Sequence, residues 1–377
     1  MKKMIKMSLV AAVAVAGLTT TSSAANLEDA VKNTKMTGYV RYRLETNHED
    51  NTDMNEKAKA VFKFSTPVND MVTSNVKIVA GESSTQNADT KAAMNVNEAN
   101  FVIKAAGATV IAGLQTSQSP FFANNGDTRS HGVTALVPAG PATIAAAYYT
   151  TSTPAKVGAL GLANAAMTNN VMALGALVKA GPANINLWYA SVEDGADVSV
   201  NAEDDALLAL PTDGADAMSV QVTAQAGPVN VDVMHTALDA GNGAEGSLTK
   251  AVVSGKASNI SYAAGYAVTG DKALGGQVTL DNDSDAASDL SMHVLNMQAT
   301  ADASAFYLMG KIKMENGVCA SLAYLNGSED ASNTDFDELD VKVGYSLSKN
   351  FKASLIYGMG EFGADFAESR IEVKYTF

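Results

Sequence analysis

The chain is poor in the features that mark enzymes, disulfide scaffolds and helical membrane proteins. It has a single cysteine, Cys319, so no intramolecular disulfide can form and stability has to come from elsewhere. Beyond the N-terminus no apolar run approaches the roughly 20 residues that a spanning helix needs. Positive charge is scarce: 26 Lys and Arg stand against 40 Asp and Glu, a net −14, and such a chain is expected to avoid nucleic acid. There is no Gly-x-Ser-x-Gly elbow, no Walker loop and no His-Glu-x-x-His, and His48, His131, His235 and His293 have no ligand spacing. No catalytic residues and no cofactor are therefore expected. The run Asp281-Asn282-Asp283-Ser284-Asp285 opens like a calcium loop, but Ala286 replaces the turn glycine and Met292 stands where a bidentate Glu belongs. That excludes an EF-hand and leaves room only for loosely bound calcium on acidic loops.

What is present begins with a leader. Lys2, Lys3 and Lys6 precede a short apolar run, Met7 to Leu18, and Ser22-Ser23-Ala24 offers small residues for cleavage. Residues 1–24 read as a secretory signal peptide, leaving 25–377 as one exported domain. The chain as a whole is 47% apolar, which excludes disorder, yet beyond the leader its apolar residues are dispersed.

The dispersal has a period of two. Gly38, Val40, Tyr42 and Leu44 alternate with Tyr39, Arg41, Arg43 and Glu45, and Ala58, Ala60, Phe62 and Phe64 with Lys57, Lys59, Val61 and Lys63. Met218, Val220, Val222 and Ala224 repeat the pattern, as do Leu339, Val341, Val343, Tyr345 and Leu347. Strands of soluble sandwiches usually run about five or six residues. These segments run about ten, the length a tilted strand needs to cross a bilayer.

The connections alternate too. Ala139-Gly140-Pro141, Ala180-Gly181-Pro182 and Ala226-Gly227-Pro228 are tight turns, and others fall at 68–70, 106–107, 255–256, 315–317 and 348–350. Between them lie long loops near 47–56, 81–96, 116–131, 152–169, 193–216, 239–247, 269–302, 327–337 and 359–368. This parity predicts an all-β transmembrane antiparallel barrel of 18 strands, or 16 if one hairpin is misread, with short periplasmic turns and long external loops. Parity also assigns 287–301 to a helix or irregular part of an external loop. More than half of the acidic residues sit in or beside four of these loops, where Lys272 is the only base. Solvation of the loops accounts for this concentration, with cation attraction as a by-product.

At the C-terminus Ile371, Val373, Tyr375 and Phe377 share one face and Arg370, Glu372, Lys374 and Thr376 the other. Tyr375 and Phe377 resemble the C-terminal assembly signal of Gram-negative outer-membrane barrels, read by the barrel-assembly machinery. The opening strand, Thr37-Gly38-Tyr39-Val40-Arg41-Tyr42-Arg43, and the lead-in Asn26 to Lys32 resemble those of the major outer-membrane porins of Campylobacter and related ε-proteobacteria. The resemblance implies an 18-stranded barrel in outer-membrane lipid, commonly a homotrimer, with one loop folded inward. The third long loop, 115–131, is the positional candidate; its ionisable residues are Asp127, Arg129 and His131, and Pro120-Phe121-Phe122 could anchor it.

A barrel this wide is expected to keep an aqueous lumen. Arg41, Arg43, Lys59, Lys63, Lys77 and Lys104 fall on the inward faces of the first four strands and form a basic wall, a device that biases ion passage. The expected function is a passive, weakly charge-selective channel for ions and small hydrophilic solutes. A barrel serving as an adhesin or envelope scaffold is the alternative, and a rim enzyme a remote third.

Overall fold

The computed structural model describes residues 32–48, 54–81, 94–116, 119–122, 129–152, 170–193, 214–240, 243–280, 286–290 and 292–377. Its 18 strands are β1 (Lys35–Asn47), β2 (Met54–Pro67), β3 (Val72–Gly81), β4 (Met94–Ala105), β5 (Ala108–Thr116), β6 (Arg129–Ala139), β7 (Ala142–Ser152), β8 (Val171–Ala180) and β9 (Ala183–Val192). They continue as β10 (Ala215–Ala226), β11 (Val229–Asp239), β12 (Glu245–Ala257), β13 (Ile260–Thr269), β14 (Ala303–Lys313), β15 (Val318–Glu329), β16 (Thr334–Ser346), β17 (Phe351–Phe362) and β18 (Asp365–Thr376). Every strand pairs antiparallel with its sequence neighbours, and β1 pairs with both β2 and β18, so the sheet closes on itself and leaves no edge.

The period of two becomes two faces. Val40, Tyr42, Met218, Val220, Val341, Val343 and Tyr345 are exposed large apolar residues on the outside, as a lipid-facing surface requires. Tyr189 and Tyr357 also face out, whereas Tyr149 and Trp188 turn inward, Tyr149 buried and Trp188 packed on a buried cluster. The three Ala-Gly-Pro turns work as their chemistry demands: Gly140, Gly181 and Gly227 adopt φ of 61°, 60° and 62°, and the following proline sits directly before the next strand, where no ladder N–H is required.

Several boundaries differ from the sequence reading. The turn placed at Gly255-Lys256 lies at Ser258-Asn259, where Ser258 takes φ 55° and the strand runs through Gly255. The loops read as 327–337 and 359–368 shrink to 330–333 and 363–364, because β15, β16, β17 and β18 extend through polar residues that still alternate. Arg129 and His131, read as loop, begin β6. Asp127, the leader 1–24, most of the lead-in and the run 281–285 lie outside the described residues.

The loop between β13 and β14 departs most. It is irregular apart from a 3-10 turn at Met297–Ala299, as parity required, but residues 274–280 and its second arm pack against the inner wall of the barrel, while 271–273 stay exposed. Val278 and Thr279 are fully buried, and Gly276 N–H donates to the Thr300 carbonyl at 2.8 Å, stitching one arm to the other.

Candidate pore and constriction

The inner wall is of two kinds. From β7 to β15 its external half carries small side chains, among them Ala147, Ala173, Ala190, Ala217, Ala267, Ala305 and Ala323, all buried. Small residues leave space, and two inward segments fill it. Phe121 and Phe122 of the third loop pack against Tyr149, Val171 and Ala190, with the Phe122 and Tyr149 rings edge to face at 6.4 Å. Leu290 and Met297 of the β13–β14 loop pack against Leu248, Tyr307, Leu325 and Phe336. The two segments meet where Leu280 N–H donates to the Phe121 carbonyl at 2.7 Å. The Pro120-Phe121-Phe122 anchor is thus in place, but the β13–β14 loop also folds against the inner wall, which sequence reasoning missed.

One carboxylate pins that loop. Glu338 lies on the inner face of β16, four residues in from its external end, and is 0% exposed. It accepts three consecutive backbone N–H groups, from His293 at 3.1 Å, Val294 at 2.8 Å and Leu295 at 2.6 Å. Successive N–H groups converging on one anion form a nest, and the interaction is charge-assisted. Glu338 and Asp340 follow directly on the loop read as 327–337, among the acidic residues expected to be solvated. Both are buried, because β16 runs on through them and their side chains point into the lumen beneath the loop. Lys250 on β12 adds a second tie, donating to the Ala287 carbonyl at 2.5 Å.

Inside the loop, Asp289 accepts N–H groups from Leu290 at 2.7 Å and Met297 at 3.0 Å. Burial pushes its carboxyl up to about 6. Burial, helped by the Arg370 guanidinium, pushes the His293 imidazole down to about 4. A Cβ built at Gly358 of β17 would lie 3.2 Å from the His293 ring, so the loop reaches the strand next to β18.

That wall runs across β18, β1, β2 and β3. Arg41, Arg43, Lys59, Lys63 and Lys77 all lie on inner faces, and Lys104 does so at the tight-turn end of β4, in register with Thr109. Barrel closure adds Arg370, Glu372 and Lys374 beside β1 and Lys352 beside those, so that Lys352, Lys374, Arg41 and Lys59 are directly in register. The wall is less basic than its sequence suggested. Glu45 contacts Lys57 at 2.5 Å and Arg370 at 2.7 Å, Glu372 contacts Arg43 at 2.5 Å, and Glu98 contacts Lys63 at 2.9 Å. Lys374 sits 4.2 Å over the Tyr39 ring, and Lys59 is buried.

The third-loop residues do not gather as expected. Arg129 donates to the Asn97 side chain at 3.3 Å. His131 is in register with Leu114, hence on the face that carries exposed Phe101, and points away from the lumen. Tyr375 and Phe377 share the outer face with Phe62, the Phe377 ring 5.7 Å from Phe62 and 6.0 Å from Tyr375. Phe377 also exchanges two backbone hydrogen bonds with Gly38, at 2.9 and 3.0 Å.

The family model of the Campylobacter major outer membrane protein matches residues 1–373. Among solved structures the fold is similar to Pseudomonas aeruginosa OpdK (TM-score 0.69, 11% identity, 92% of this chain and 99% of that one). It is also similar to P. aeruginosa OccK5 (OpdH) (0.68, 12%, 92% and 98%) and Acinetobacter baumannii OccAB3 (0.66, 11%, 92% and 99%). No curated protein sequence matches. With an apolar exterior, a charged lumen and that family match, the chain belongs to the Campylobacter major outer membrane protein family and is an outer-membrane porin, a passive diffusion channel built on an 18-stranded barrel.

Proposed function

We propose that this porin conducts ions and small hydrophilic solutes through a gap bounded by the β18–β1–β2 wall and the β13–β14 loop, with weak charge selectivity and no enzymatic activity. The observation that carries the reading is the pairing along the wall: Arg43, Lys57, Lys63 and Arg370 each contact Glu45, Glu98 or Glu372, so the two signs partly cancel there. External acid then tips the balance modestly toward cations. Removal of residues 1–24 on export and assembly as a homotrimer complete the proposal; the leader's composition and the family's opening strand support them.

Reversal potentials across planar bilayers test it. Arg43→Ala with Lys63→Ala releases Glu372 and Glu98 from their partners and is expected to raise cation preference at low salt. Near 1 M salt, where the Debye length is about 3 Å, most of the change should vanish. An unchanged reversal potential at low salt would place these residues away from the conducting path.

A further inference from the structure

A second row of positive charge crosses the other half of the lumen, and strand register builds it from residues scattered over more than 80 positions. Lys256 on β12 is in register with Ser261 on β13, Ser261 with Lys311 on β14, Lys311 with Ser321 on β15, and Ser321 with Lys342 on β16. The row continues through Ile356 to Arg370 and Glu45, the constriction side of the charged wall. All five residues face inward, since their neighbours Ile260, Tyr262, Leu322, Val341 and Val343 are the exposed apolar residues of the outer face.

The row is also a ramp. Its members lie one, one, two, three and four positions from the tight-turn ends of their strands, in chain order. Spacing of about 4.8 Å per strand and a tilt of about 40° make a row perpendicular to the strands climb roughly 12 Å between Lys256 and Lys342. It therefore leads from the periplasmic rim up to the narrow zone.

Its own members carry charge of one sign only, although Asp340 lies two positions from Lys342 on the same face. Lysine ammonium groups carry three donors and serine hydroxyls one, while alternate strands set the lysines roughly 10 Å apart, within joint reach of one small anion. Unlike Arg43, Lys57, Lys63 and Arg370 of the charged wall, Lys256, Lys311 and Lys342 are exposed and make no ion pair with any carboxylate among the described residues.

We propose that Lys256, Ser261, Lys311, Ser321 and Lys342 form a track on which small multivalent oxyanions, such as citrate or inorganic phosphate, bind and step between the constriction and the periplasm. The proposal rests on the channel reading and goes beyond it, because it assigns an anion site to a pore whose net selectivity is weak. Bound anions of this kind dwell longer than chloride and obstruct the monovalent current while they do.

The test is single-channel conductance in low-salt KCl with millimolar citrate added to the side bearing the tight turns. Citrate is expected to lower wild-type conductance by about twofold or more, and the block should disappear in 1 M KCl through screening. Lys311→Gln with Lys342→Gln, which keeps side-chain length, should conduct KCl and lose most of the block, while Lys349→Gln, in a turn off the row, should keep it. No citrate block in the wild type, or equal block in the double variant, overturns the track and leaves the channel reading intact. Absence of KCl conductance in wild-type protein overturns the channel reading itself.

Discussion

Glu338→Gln is the most direct perturbation of the constriction. Glutamine keeps the shape but removes the charge, and it offers one acceptor oxygen where the carboxylate offers two to the three N–H groups at 3.1, 2.8 and 2.6 Å. Hydrogen bonds to a charged group contribute about 1.5–3 kcal/mol each, and the three share one anion, so their sum is less than additive. A loss of about 3 kcal/mol is a reasonable scale, or roughly a hundredfold shift toward the undocked loop. The apolar contacts of Leu290 and Met297 remain, so the barrel should assemble and the loop should open transiently rather than leave. Single-channel records are expected to show higher mean conductance with added flicker, and the amides of His293 to Leu295 should exchange faster with solvent. Glu338→Ala should do the same more strongly, while Asp337→Asn, next to it on the opposite face, should leave both readouts unchanged. Wild-type conductance and wild-type exchange in both Glu338 variants would refute the reasoning and transfer the pinning to the apolar contacts.

Gly358 on β17 faces the same spot, and a Cβ there would lie 2.7 Å from an Asp340 carboxylate oxygen and 3.1 Å from one of Glu338. Gly358→Ala is therefore expected to reproduce the Glu338 phenotype in conductance noise without changing the far-ultraviolet spectrum of the barrel. The loop's pH dependence follows from two opposing groups. Asp289, raised to about 6, stabilises the packed loop at low pH and loses that contribution as pH rises through 6, whereas His293, lowered to about 4, stabilises it above about 6.5 and loses that as pH falls. Between pH 6.5 and 4 the two oppose each other, so His293→Gln should unmask Asp289, and the protection factors of amides in 286–290 and 292–298, corrected for the pH dependence of intrinsic exchange, should rise as pH drops; protection that falls instead would reverse the sign. Phe377→Asp places a charge in the outer face beside Phe62 and Tyr375, at a cost of a few kcal/mol that depends on depth, and should leave protein in the periplasm. Normal surface levels of that variant would show the ring to be dispensable for insertion.

The sequence by itself determined the architecture, because alternation is a local property: a residue such as Val341 between Asp340 and Lys342 declares its face whatever the rest of the chain does. Turn chemistry is local as well, so Ala-Gly-Pro marked three hairpins, and parity gave 18 strands and kept 287–301 out of the sheet. The first five basic residues of the predicted wall were legible for the same reason, since β1 to β3 are consecutive hairpins. What tertiary structure decided depends on which strands become neighbours or which loops fold inward. Closure brings Glu372 to Arg43 across more than 300 positions and pairs part of a wall that looked wholly basic. Register lines up Lys256, Lys311 and Lys342, each unremarkable in its own strand. The β13–β14 loop left one faint mark, the alanines at 147, 173, 190, 217, 267, 305 and 323 where an aqueous wall would carry polar side chains. Glu338 left none, because a carboxylate bound to solvent and one bound to three backbone N–H groups are the same letter until a second segment arrives to occupy it.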